Sequence, residues 1–133
     1  MTAVTWNFRC YIDAAGQNPV RVWHDARSKE WQAKFFSRLS ALRHLPYEQW
    51  TIPPYRNLRG QGAGLGEIRF KTEGIQQRPI GFRSGTSEFT LLLCATEKND
   101  QFVPATAIRD ADTRKNNILT GRNTSDAIWL KFQ

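Results

Sequence analysis

Glu67, Arg69 and Lys71 stand at alternate positions in Glu67-Ile68-Arg69-Phe70-Lys71, with apolar residues between them. A strand so patterned buries Ile68 and Phe70 and presents a carboxylate and two cations on its other side. Arg78 and Arg83 come soon after, and Arg59 precedes. Arginine suits phosphate, because its planar fork meets phosphate oxygens in two places and stays charged at every relevant pH. The glycine-rich stretch RGQGAGLG just upstream invites comparison with a phosphate cradle. It lacks the spacing of a dinucleotide fingerprint and the Gly-Lys-Ser/Thr ending of a P-loop, and residues 67–71 behind it alternate like a strand. These glycines therefore read as a flexible lead-in to a hairpin.

The distribution of charge supports an acidic partner. The net charge is +7, and residues 53–83 carry six Lys or Arg against two Asp or Glu. The last 50 residues, 84–133, balance at zero. Such concentration suits a phosphate backbone, while a solvated basic face that aids solubility accounts for the charge equally well. Cys10 and Cys94 match no metal-ligand or redox spacing and read as buried small hydrophobes. His24 and His44 are isolated, so neither a metal site nor a cofactor is expected.

The positioning elements can be read from periodicity. TWNFRCYI, residues 5–12, alternates as a strand with one buried side. Asn18-Pro19 starts a short helix to about residue 27. Ser28 caps a longer helix whose Trp31, Phe35, Leu39 and Leu42 form an apolar stripe, ended by Pro46. Pro53-Pro54 marks an irregular connection. Three strands come next, 67–71, 78–82 and 88–96, turning through residues 72–74 and 84–85, with Pro79 forcing an edge or a bulge. EFTLLLCAT is apolar on both faces, as a central strand should be. Pro104 opens a helix with Ala107, Ile108 and Ala111 on one face, running to about Asn117 and stopped by Gly121. SDAIWLKFQ, at the end, docks as a strand or helix. The 133 residues make one α+β domain: a mainly antiparallel sheet with helices on one face, its opposite face and its mouth left for function. No apolar run is long enough to span a membrane and MTAVTWNFRCYI is not a secretion signal, so a cytoplasmic location is expected.

Several of these residues resemble a known family in order and spacing. They are Asn18-Pro19-Val20, Gly66-Glu67-Ile68-Arg69, Arg78, Leu91-Leu92-Leu93, Lys98, Pro104, Ile108 and Ala111. Together they resemble the phage-derived HigB-like branch of the RelE/ParE toxin superfamily over about residues 5–118, with 119–133 as a C-terminal extension. The chain departs from the family pattern at Lys98-Asn99, where a lysine pair is common, and at Gln77 and Pro79 around the second-strand arginine.

The resemblance implies a small RelE-like domain acting as the toxin of a type II toxin–antitoxin system, with a helix-turn-helix antitoxin as partner. The implied activity is metal-independent endoribonuclease action on mRNA, with the ribosome as a candidate setting. A 2′-hydroxyl attacks the adjacent phosphate, so the site must help deprotonation, stabilise phosphate charge and assist the leaving oxygen. On this reading Arg69, Arg78 and Lys98 are the catalytic residues. Lys98 either holds the phosphate or, desolvated among cations, transfers a proton. Arg59, Lys71 and Arg83 bind RNA, and Glu67 orients an arginine. A ParE-like toxin that targets gyrase, or a non-catalytic phage or host binding protein on the same scaffold, are the alternatives. Direct DNA binding is weaker, because the helix bearing Arg109 also carries Asp110 and Asp112.

Overall fold

The computed structural model describes residues 4–51 and 54–132. The chain runs β1 (Asn7–Ile12), α1 (Pro19–Asp25), α2 (Lys29–Arg43), β2 (Tyr55–Asn57), β3 (Gly66–Ile68) and β4 (Phe70–Thr72). It continues through β5 (Ile75–Gln77), β6 (Ile80–Gly85), β7 (Glu88–Leu93), β8 (Thr96–Lys98), β9 (Gln101–Val103), α3 (Ala107–Leu119) and β10 (Thr124–Ala127). The α+β class is as expected. Pro53, expected with Pro54 to mark the irregular connection, lies outside the described residues.

Local chemistry starts and stops the helices. The Asn18 side chain accepts from the Arg21 amide at 3.0 Å, and Ser28 Oγ accepts from the Trp31 amide at 3.1 Å, so both N-caps do what their side chains allow. The end of α2 is completed by indoles. Trp6 Nε1 donates to the Leu45 carbonyl at 2.8 Å, and Trp50 Nε1 donates to Leu42 and Leu45 at 3.1 Å each. Two buried N–H groups and two helix-terminal carbonyls thereby satisfy one another.

The three central strands each break once. β3 and β4 part at Arg69, β5 and β6 at Arg78-Pro79, and β7 and β8 at Cys94-Ala95. The expected three-strand meander is therefore creased, its halves belonging to a six-stranded sheet in the order β10-β1-β7-β6-β3-β2 and a four-stranded one in the order β4-β5-β8-β9. Pro79 cannot donate to a ladder, and it falls at the crease; the register with β7 shifts next to it, between Ile80 and Gly81. The hairpin joining β6 and β7 turns at Thr86-Ser87, two residues later than expected, because the ladder continues to Gly85. Nothing in the sequence announces the β9 hairpin, since its three residues are too short for a periodic signal.

Central β7 is flanked by β1 in parallel, Phe8 opposite Phe89, and by β6 antiparallel. Its side chains serve two cores. Phe89 and Leu91 join Phe8, Cys10, Trp31, Phe35, Leu39 and Trp50 beneath α1 and α2, whereas Leu92 joins Tyr11, Phe82, Ala107 and Ala111 beneath α3. Adjacent residues of a strand point to opposite faces, so α3 covers the face that the helices were expected to leave free. The cause is the apolar side of α3 itself, which needs a sheet to bury it. The C-terminal stretch supplies β10, antiparallel to β1, and then an apolar latch: Phe132 stacks on Phe36 at 5.2 Å and Trp129 meets His24 edge-on at 5.0 Å. Among the described residues no helix is long and apolar enough to cross a membrane.

Both cysteines are buried free thiols. Burial pushes the Cys10 thiol up from 9.0 to about 12, and moves Cys94 and the Tyr55 phenol in the same direction. Their folded-state values lie above the unfolded ones, so the stability they carry is complete below pH 9.0 and is lost as pH rises toward about 12. The urea midpoint is expected to be lower at about pH 10.5 than at about pH 8, and Cys10→Ala should reduce the difference.

Candidate nucleic-acid interface

The crease gathers charges from three strands. Glu67, in the middle of β3, is wholly inaccessible to solvent, and Arg78 is nearly so. Arg78 Nε donates to Glu67 Oε2 at 2.5 Å and Nη2 donates to Oε1 at 2.9 Å, while Nη1 lies 3.2 Å from Glu97 Oε1. The guanidinium also lies over the Phe102 ring at 4.0 Å. Arg69 also approaches Glu67, Nε to Oε1 at 3.7 Å. Arg69 and Arg78 do converge, as expected, but on a carboxylate.

This geometry gives Glu67 and Arg78 a structural task. All three Arg78 nitrogens are engaged by acids, and a phosphate would have to displace one of them. Glu67 orients arginines, as its sequence position implied. Lys98 is not part of the group. It alternates on β8 with Glu97, whose side chain reaches Arg78, so Lys98 emerges on the opposite face, and it is exposed. Lys71 is exposed on β4, where its carbonyl accepts from Lys34 Nζ at 2.8 Å.

A different set of residues forms the cleft at the β2 end of the large sheet. It encloses about 470 Å³ between β6, the glycine-rich loop and the C-terminal half of α3. Tyr47, Tyr55, Asn57, Arg83, Ser84 and Lys115 supply its polar lining, with Leu58, Leu65 and Phe82 as apolar floor. Arg83 lies over the rings of Tyr47 at 4.8 Å and Trp6 at 5.4 Å, a stacked pose that holds its fork at the surface, and its Nη2 donates to the Thr86 carbonyl at 3.0 Å. Lys115 reaches in from α3, its Nζ 3.4 Å from the Gly64 carbonyl. Tyr47 donates to Asn57 Oδ1 at 2.8 Å, and its oxygen lies 2.7 Å from that of Tyr55. Burial and this bond push the Tyr55 phenol up, so it stays protonated and donates. Among the described residues no carboxylate lines the cleft. Glu88 lines a neighbouring hollow, where it accepts from Ser84 Oγ at 2.7 Å and lies 3.8 Å from Arg9 Nε.

The glycine-rich stretch builds one wall. Expected as a flexible lead-in, it forms a hydrogen-bonded turn: Gly62 and Ala63 amides donate to the Arg59 and Gly60 carbonyls at 3.1 Å each, and Leu58 donates to the Leu65 carbonyl at 2.9 Å. Gly60 and Gly64 have φ of 62° and 87°, conformations that glycine adopts without strain. A second, shallower hollow of about 720 Å³ adjoins the cleft through Tyr55 and Asn57 and is lined by Trp50, Arg56 and Arg59.

Of the expected RNA-binding residues, Arg83 and Arg59 line this composite surface, whereas Lys71 does not. Sequence reasoning missed Tyr47, Tyr55, Asn57 and Lys115. Lys115 carried a signal, since it comes after Ala107 and Ala111 at spacing four on α3's buried side, where a long stem can run along apolar surface and deliver its charge beyond. Tyr47 lies in a single turn after Pro46 and Tyr55 opens the three-residue strand β2, segments too short for periodicity to mark.

The fold and this surface define an α+β domain with a basic, aromatic-walled cleft at one end of its main sheet. In comparisons with known proteins the chain matches no family model, no curated protein and no solved structure. Among the described residues no group of three or more His, Cys, Asp or Glu side chains is placed to hold a metal ion.

Proposed function

We propose that the chain binds single-stranded RNA along the Tyr47–Arg83 cleft and acts as the toxin of a type II toxin–antitoxin pair, an endoribonuclease on mRNA. The observation that carries the reading is the cleft's lining: two cations, Arg83 and Lys115, beside two phenols, with no carboxylate among the described residues. The half-buried ring of Tyr47 offers a face to a base, Tyr55 supports it from beneath with its hydroxyl, and the cations follow the backbone, the combination a single-strand site uses. Arg56 and Arg59 extend the same polarity along the adjoining hollow. On this reading Arg83 and Lys115 take over the phosphate-holding work that the sequence suggested for Arg69, Arg78 and Lys98. The cleft would act by positioning the strand and stabilising charge on the phosphate. The antitoxin would cover the cleft with acidic or apolar side chains.

The test has two parts. Arg83→Gln and Lys115→Gln are each expected to weaken binding of a short single-stranded oligoribonucleotide by about tenfold, with unchanged urea midpoints. Unchanged affinity in both would remove the cleft from RNA binding. Induced expression with primer extension on abundant mRNAs should show discrete cuts, lost in Arg83→Gln. A second reading, RNA binding without cleavage, is favoured by the cleft's own lining, which among the described residues holds no histidine and no carboxylate. Binding retained with intact mRNA would establish it, and DNA damage in place of mRNA loss would favour a gyrase-directed poison.

A further inference from the structure

A third basic hollow lies away from the cleft, where α2 packs on β4. It encloses about 460 Å³ and is lined by Lys34, Ser37, Arg38 and Lys71 over the ring of Phe70. Three cations meet there with no carboxylate among the described lining residues. Lys34 is fixed across the hollow: its Nζ lies 3.3 Å from Glu30 on its own helix and donates to the Lys71 carbonyl at 2.8 Å. Arg38 and Lys71 have no acidic partner within ion-pair distance among the described residues. Arg38 Nε is shut off from solvent and donates to nothing. A buried N–H without an acceptor costs free energy, and like charges brought together repel, so the hollow is held at a cost that a compact anion would relieve.

We infer that this hollow is a phosphate site, in which the Arg38 fork, the Lys71 ammonium and the Ser37 hydroxyl receive the oxygens of one phosphate group. Arginine supplies the flat two-point contact and lysine the point charge, the division of labour that phosphate recognition uses. Phe70 closes the floor and keeps water from competing beneath the anion. The site is independent of the cleft, with which it shares no residue. The phosphate is either free or the end group of a larger ligand, and one chemistry serves both.

Inorganic phosphate titrated into the full chain at constant ionic strength, balanced with chloride, tests the site by nuclear magnetic resonance. The Arg38 Nε–H and the Lys71 amide should shift saturably, with a Kd on the order of a millimolar. Lys71→Gln, a change at an exposed position, should weaken this about tenfold, whereas Arg83→Gln in the cleft should leave it unchanged. An oligoribonucleotide bearing a 5′-phosphate that displaces inorganic phosphate, where its unphosphorylated twin does not, would identify the ligand as an end group. Equal and weak competition by both would identify it as free phosphate. Shifts that rise linearly without saturation, or saturable binding that survives both Lys71→Gln and Arg38→Gln, would overturn the inference.

Discussion

Glu67→Ala is expected to remove about 3–5 kcal/mol of stability, a large part of what a single domain possesses. The carboxylate is wholly buried and accepts two bonds from Arg78, and Arg69 stands close by. Without it the Arg78 guanidinium, itself almost inaccessible, is left with Glu97 alone in an apolar setting beside Phe102. The cost lies in the uncompensated buried cation and not in the lost attraction, and for that reason removal of one partner is far worse than replacement of the whole group by apolar residues. Urea denaturation of the variant should show a greatly lowered midpoint. Arg78→Ala should behave similarly, whereas Arg69→Ala, at a side chain 20% exposed and bonded less closely, should cost less. The order bears on function too. If Arg78 were mainly a phosphate ligand, its loss would leave the fold intact and abolish activity; a structural cation predicts the reverse sequence of events, with the fold failing first.

Gly66→Ala is expected to cost about 1–3 kcal/mol and to spoil the cleft. Gly66 is buried on β3 opposite Gly81 on β6, and an added methyl would fall inside the phenol end of Tyr55. That ring is 1% exposed and packed against Trp50 at 5.3 Å and Phe89 at 5.9 Å, so it can yield only by pushing toward the cleft. Displacing it breaks the Tyr47–Tyr55–Asn57 hydroxyl network on which the cleft wall stands. Denaturation gives the stability, and oligoribonucleotide affinity gives the geometry. The variant should lose affinity even at temperatures where it remains folded, which separates this effect from simple unfolding. A normal midpoint together with normal affinity would show that the tyrosine yields freely.

The sequence carried the elements well and the site poorly, for physical reasons. Strand β1, the two N-capped helices and the doubly apolar β7 each arise from a local rule: alternation, a side chain that caps, burial on both faces. The crease does not, because it depends on where three strands break together, and only Pro79 marks one of the breaks. Arg69 and Arg78 are legible as neighbours on adjacent strands, yet whether their common partner is a phosphate or Glu67 turns on burial, which side-chain type does not disclose. Arg83 and Arg59 could be found because they lie in the charge-dense segment. Tyr47 and Tyr55 could not, since they come from a single turn and a three-residue strand too short to carry a period and meet only in three dimensions.

The parallel pairing of β1 with β7 governs how the chain must assemble in time. The first strand finds its hydrogen-bond partners only when Glu88–Leu91 has been made, and its other edge waits for Thr124–Ala127. Loop closure over such distances is paid for before any contact rewards it, which places this molecule among slow folders. Until the last strand arrives, a growing chain offers open β edges, β1 lacking first Glu88–Leu91 and then Thr124–Ala127. A protein that binds those edges at that stage would decide how much of the chain ever reaches its native state, whatever the finished molecule does.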